Sequence, residues 1–130
     1  MNEQCWILTG HFDEAAGIWR LQAEHHASGH PASVEADWHW TLTREEEQGD
    51  VAGFAHTHPI GAGTNPSARD VRTMQAWCSA LGKPLLCLIA EGESLLDPAA
   101  YLFSDDESEG QPAPSFELVD IEPPQKVEND

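Results

Sequence analysis

The chain has 130 residues and a mass of 14.3 kDa, the size of one domain. Six Lys and Arg against 23 Asp and Glu leave a net charge of −17, and so acidic a surface repels phosphate backbones and argues against a nucleic-acid partner. No apolar run nears the ~20 residues of a membrane span, and no basic-then-apolar leader opens the chain, so a cytoplasmic protein without a membrane partner is expected.

Cys5 to Thr9 reads as a short apolar strand closed by Gly10, and Ile18 to Ala23 as a second strand. Residues 23–32 hold His25, His26, Gly29, His30 and Pro31 and read as a loop. Val34 to Leu42 suits strand and helix equally, and Arg44 to Gly49 reads as a charged turn. Asp50 to His58 is a strand that Pro59 terminates. The clearest helix is Ser67 to Leu81, with Val71, Met74, Cys78 and Leu81 on one stripe and Gly82 as its stop. Pro84 to Ala90 is a continuous apolar run, as expected of a central strand covered on both faces, and Tyr101 to Phe103 adds a short strand. Strands flanking one strong helix indicate an α/β or α+β architecture.

The last 27 residues carry nine acids and one Lys, so nearly half the net charge lies there. Residues 104–115 read as an acidic solvated loop, 116–122 as a last strand with Phe116 and Leu118 on one face, and 123–130 as a disordered tail. Cys5, Cys78 and Cys87 form no disulfide or zinc-knuckle spacing, and Cys87 sits in an apolar run as a small hydrophobe.

Chemistry concentrates between His56 and Asp70. Side chains alternate along a strand, so His56 and His58 share a face, with Ala52 and Phe54 deeper on it. Ser67 is placed to cap the helix and Asp70 stands at its third position, where a carboxylate can turn back toward the strand end. Separately, His-x-His can be two satisfied polar residues and Ser-x-x-Asp a capping box. Together, across one tight Gly-containing loop, they offer two imidazoles and a carboxylate. Three protein ligands leave a fourth tetrahedral position open, the mark of a catalytic zinc.

These residues resemble the JAMM (JAB/MPN-type) zinc metalloproteases, above all the prokaryotic JAB branch, through His56-Thr-His-Pro, Thr64 to Met74 and Trp77. The likeness covers about residues 3–103, taken with residues 1–2 as a 1–103 domain. It implies a minimal version of a cytidine-deaminase-like mixed sheet flanked by helices. It also implies His56, His58 and Asp70 as Zn²⁺ ligands, Ser67 as oxyanion donor, and Glu3 as general base, in the frame Glu3-Gln-Cys-Trp-Ile-Leu-Thr-Gly10. Trp6 stands where that frame has Gly, and the spacing from His58 to Ser67 is one residue longer than the family's usual one. Glu14 and Glu24 are the alternative bases, and His11, His25, His26, His30 and His39 are read as non-ligands. The implied activity is hydrolysis at the C-terminus of a ubiquitin-like protein or its conjugate, its tail entering as an added strand. Two other readings are a non-catalytic scaffold binding such a partner and a metal-dependent phosphoesterase. The sequence leaves the oligomeric state open.

Overall fold

A computed structural model describes residues 3–29, 37–104, 111–112 and 115–119. In chain order the elements are β1 (Glu3–Asp13), β2 (Ile18–Gly29), α1 (Trp38–Gln48), β3 (Val51–His58), α2 (Ala68–Leu81), β4 (Leu85–Glu91), β5 (Ala99–Phe103), β6 (Gln111–Pro112) and β7 (Phe116–Val119). The seven strands form one mixed sheet in the order β6-β5-β4-β3-β1-β2-β7. Only β3–β4 and β2–β7 run parallel, so α2 is the crossover of a β3-α2-β4 unit. The architecture is the expected α+β fold.

Alternation sorts the apolar residues onto two faces. One holds Ile7, Phe54, Cys87, Ile89 and Phe103, covered by Met74, Trp77 and Cys78 of α2, with Trp40 of α1 at its margin. Full burial of side chains such as these stabilises by roughly 1.5–3 kcal/mol each. The opposite face holds Trp6, Leu8, Leu21, Ala55, Leu86 and Leu88, and no described helix contributes to it. It is buried because the curled sheet brings Trp19, Phe116 and Leu118 from one flank and Ala100 and Leu102 from the other into the same cluster.

Several expectations are corrected. β1 does not stop at Gly10 but runs on to Asp13, and it begins at Glu3 rather than Cys5. Residues 23–29 are not a loop. They continue β2 through a bulge in which two residues, His25 and His26, stand against Trp6, with His25 at φ 48°. The stretch that suited either state and the charged turn after it form α1, capped by Asp37, which accepts from Trp40 N, and closed by Gly49 in the left-handed region. Hydrophobic period fails there because α1 buries only Thr41 completely. Its other contacts mix aromatic rings, Trp40 partly buried and Trp38 stacked on Trp77, with polar bonds: Arg44 donates twice to Asp50 at 2.8 and 2.7 Å, and Lys83 donates to Glu45 at 3.0 Å. Ala52 does not share a face with Phe54 and His56, because β3 bulges against β1 between Val51 and Gly53. Gln111–Pro112 pairs with β5 inside what reads as acidic loop. The rest of that loop at 105–110 and 113–114, residues 120–122 of the last strand, the 123–130 tail, His30 and residues 34–36 lie outside the described residues.

Gly53 lies where β3 and β4 touch. A Cβ there would stand 2.0 Å from the Leu86 carbonyl oxygen, at a φ of 157°. Gly17, at φ 71° in the β1–β2 turn, meets nothing within 4 Å. Gly53→Ala should therefore cost more than ~3 kcal/mol or prevent folding, and Gly17→Ala only about 1–2 kcal/mol of backbone strain, as read from urea denaturation midpoints. Equal losses would mean that the β3–β4 approach is looser than described.

Candidate metal centre

Three elements meet at the C-terminal end of β3. Its parallel partner β4 lies on one side, antiparallel β1 on the other, and the first turn of α2 closes the mouth. This is where open sheets with helical crossovers place ligands. Pro59 ends the strand, and the 59–66 loop delivers the chain to Ser67.

Ser67 forms a complete capping box. Its hydroxyl oxygen accepts from Asp70 N at 3.0 Å, and Asp70 Oδ2 accepts from Ser67 N at 2.9 Å. That bond turns the Asp70 carboxylate back toward β3. His56 Nε2 lies 3.2 Å from Asp70 Oδ1, His58 Nε2 lies 3.1 Å from Asp70 Oδ2, and the two Nε2 atoms are 3.2 Å apart. The side chains of His56, His58 and Asp70 are 15, 11 and 16% exposed, so little water reaches between them.

His58 Nδ1 lies 2.9 Å from the Gly63 carbonyl oxygen. A carbonyl only accepts, so Nδ1 carries the proton and the neutral ring presents its Nε2 lone pair to the cluster. The His56 and His58 Nε2 atoms and the Asp70 carboxylate then lie about 3 Å from one another, a donor set that, in place of the hydrogen bond tying His56 to Asp70, a cation can share. The spacing suits one: a tetrahedral ion with bonds of ~2.05 Å sets ligand atoms about 3.3 Å apart. Among the described residues, His56, His58 and Asp70 are the grouping of His, Cys, Asp or Glu that can hold a metal. Burial pushes the Asp70 carboxyl up, but the His56 hydrogen bond and charge, with the Ser67 amide and His58, hold it well below the usual carboxylate range.

Glu3 lines the same cavity, of about 610 Å³. Cys5 pairs with His56 across the β1–β3 ladder, and Gln4 N donates to Thr57 Oγ1 at 2.9 Å, so the register carries Glu3 toward His58. Glu3 is itself laddered to Gly29, so it opens a strand. Burial raises its carboxyl above the usual range, against the pull of His56 and His58. Neither alternative base lines this cavity: Glu14 lies in the β1–β2 turn, and Glu24 accepts from Thr9 Oγ1 at 2.5 Å. His11, His25, His26 and His39 do not join the cluster, but His25 and His26 lie half-buried on β2, not in a solvated loop.

Sequence reasoning missed the aromatic wall. Trp38 stacks on Trp77 at 3.7 Å between ring centroids, Phe54 tilts against Trp77 at 4.8 Å, and all three line the cavity with Met74. The Trp38–Trp77 contact joins two helices with no local signal connecting them. On the cavity floor, burial, with Glu3's charge, pushes the Cys5 thiol up to about 12, and burial likewise raises Cys87, so neither is a thiolate at neutral pH. No described helix is long and apolar enough to cross a membrane.

A family described as prokaryotic homologs of the JAB domain matches residues 1–107. No curated protein is a significant match. A solution structure of a protein from Salinibacter ruber (strain DSM 13855) is similar at 20% identity, covering 98% of this chain and 82% of that one, with a TM-score of 0.47.

The donor geometry predicts that the metal-free protein takes up about one equivalent of Zn²⁺ or Co²⁺ per chain in a titration. His58→Ala and Asp70→Ala should each weaken that binding at least ~10²-fold. Wild-type uptake by both variants would place the metal elsewhere.

Proposed function

The chain belongs to the prokaryotic homologs of the JAB domain, and from that membership and the geometry of its centre we propose that it is a zinc-dependent peptidase or isopeptidase. The substrate in this reading is a ubiquitin-like protein or its conjugate, cut at the C-terminal tail. The observation that carries it is the convergence of His56 Nε2, His58 Nε2 and the Asp70 carboxylate, the nitrogens 3.2 Å apart and within 3.2 Å of Oδ1 and Oδ2 respectively, at the mouth of a cavity that Glu3 and Ser67 also line. His56, His58 and Asp70 would hold the zinc. When bound, that ion supplies a water of pKa near 7 and polarises the scissile carbonyl.

The chain's own groups do the rest. Glu3 accepts the proton of the attacking water at its carboxylate and returns it to the leaving amine. A raised carboxyl suits that double role, because it moves the group toward the operating pH, where taking and giving a proton are best balanced. Ser67 Oγ accepts from Asp70 N, which leaves its hydroxyl hydrogen free for an oxyanion. Phe54, Trp77 and Trp38 form an apolar wall that excludes water on the side away from the metal. The net charge of −17 favours a partner with a basic face through steering.

The scaffold reading is weaker because scaffolds do not need the three donors. The phosphoesterase reading needs a second metal cluster, and the described residues hold one such grouping. The test is cleavage by zinc-loaded protein of ubiquitin-like proteins carrying C-terminal peptide fusions. Chelation should abolish cleavage and zinc restore it. Glu3→Gln should keep the metal and lose at least ~10²-fold in turnover, and Ser67→Ala should lose roughly 10²-fold in kcat. Turnover unchanged in Glu3→Gln would remove Glu3 as the base, and no cleavage of any fusion would overturn the activity.

A further inference from the structure

We infer that Glu91 is a positioning residue for the metal centre, acting on His58 through the backbone of the 59–66 loop. The inference rests on the metal-binding reading of His56, His58 and Asp70. It begins with a mechanical difficulty. The loop between Pro59 and Pro66 has no buried residue, and Ile60 is 78% exposed, so no apolar core fixes its path. Gly61 and Gly63 stand at φ 94° and 85°, where the backbone has unusual freedom. Yet the Gly63 carbonyl must be fixed, because it receives the Nδ1 proton of His58.

Glu91 supplies the fixing. Its Oε2 accepts from Gly63 N at 2.6 Å and from Gly61 N at 3.2 Å. A carboxylate accepting from backbone amides makes charge-assisted bonds, roughly twice as strong as neutral ones. Glu91 is itself held in register with His58. The two are ladder partners across β3 and β4, and Gly92 N donates to the His58 carbonyl at 2.9 Å. The contacts close a circuit from the His58 backbone through β4 and the Glu91 carboxylate to Gly63 and back to the His58 ring. On the far side of the loop, Tyr101 OH donates to the Thr64 carbonyl at 3.0 Å. Ring orientation and tautomer at His58 therefore depend on an acid that lies outside both the three-residue grouping and the cavity lining. Outer contacts of this kind commonly tune metal affinity 10–100-fold.

The experiment compares wild type, Glu91→Ala and Glu91→Gln by two readouts. Zinc affinity by chelator competition should fall roughly 10–100-fold in Glu91→Ala and stay within about threefold in Glu91→Gln, whose amide oxygen can accept the same two bonds. The metal-free melting temperature of Glu91→Ala should move by less than about 4 °C, as for a surface change. In metal-free protein, long-range ¹H–¹⁵N correlation should find His58 as the single Nδ1–H tautomer in wild type and Glu91→Gln, and as a mixture in Glu91→Ala. Wild-type zinc affinity in Glu91→Ala, or an unchanged His58 tautomer there, overturns the inference. Absence of zinc binding by wild type would instead sink the metal-centre reading, and the tautomer comparison would still decide the role of Glu91.

Discussion

Two imidazoles and a carboxylate held within hydrogen-bond reach of one another at the end of a strand are the constraint on which the rest of the site depends. His56 and His58 leave the same side of β3, and the capping bond from Ser67 N turns the Asp70 carboxylate onto them. Without a cation the His56 hydrogen bond and the imidazole charges keep the carboxylate ionised, and with one the same three side chains would form a tripod. The surrounding structure keeps the donors from relaxing apart. The α2 helix is clamped through Met74, Trp77 and Cys78, β3 is laddered on both sides, and the His58 ring is tied to Gly63. Packing and strand pairing elsewhere in the fold thus keep the three side chains converged.

The parts of this site legible in sequence are those set by local rules. A strand period of two puts His56 and His58 on one face, and a capping box needs only Ser67 and Asp70 three residues apart. The stripe on α2 is a helical period, and its αL stop at Gly82 stands where expected. The illegible parts are non-local or polar. In α1, Trp38, Trp40 and Leu42 alternate as a strand would, while the helix is seated by Thr41, Arg44 and Glu45 together with Trp38 and Trp40, a set with no helical apolar stripe. Nothing in the local sequence announces a bulge with a histidine at φ 48°, so the sequence alone reads β2 as ending at Ala23. Glu3 belongs to a strand because Gln4 meets Thr57, 53 positions away. Glu91 gains its place only once the β3–β4 register is known.

The bulge at His25 also helps arrange the cavity. His25 stacks on Trp40 at 4.7 Å, and its Nε2 lies 2.9 Å from Asp37 Oδ2 while Asp37 Oδ1 caps α1. The start of α1 is therefore pinned to β2, and Trp38, one residue on, reaches over Trp77 at the cavity wall. A distortion on one strand determines which ring borders the metal centre on another element.

Strand order also governs how a polypeptide can approach. The borders of the sheet are β6 and β7, and each stands three strands from β3, or about 14 Å at normal ladder spacing. Beside the candidate site the border lies closer: β5 pairs along β4 only as far as Ile89, so among the described residues no strand follows β4 beside Ala90 and Glu91, the partners of Thr57 and His58. Under the proposed activity, a tail that reaches His56 and His58 would lie in the cavity between the 59–66 segment and the indole rings, one strand from that open stretch of β4 and away from the β6 and β7 rims.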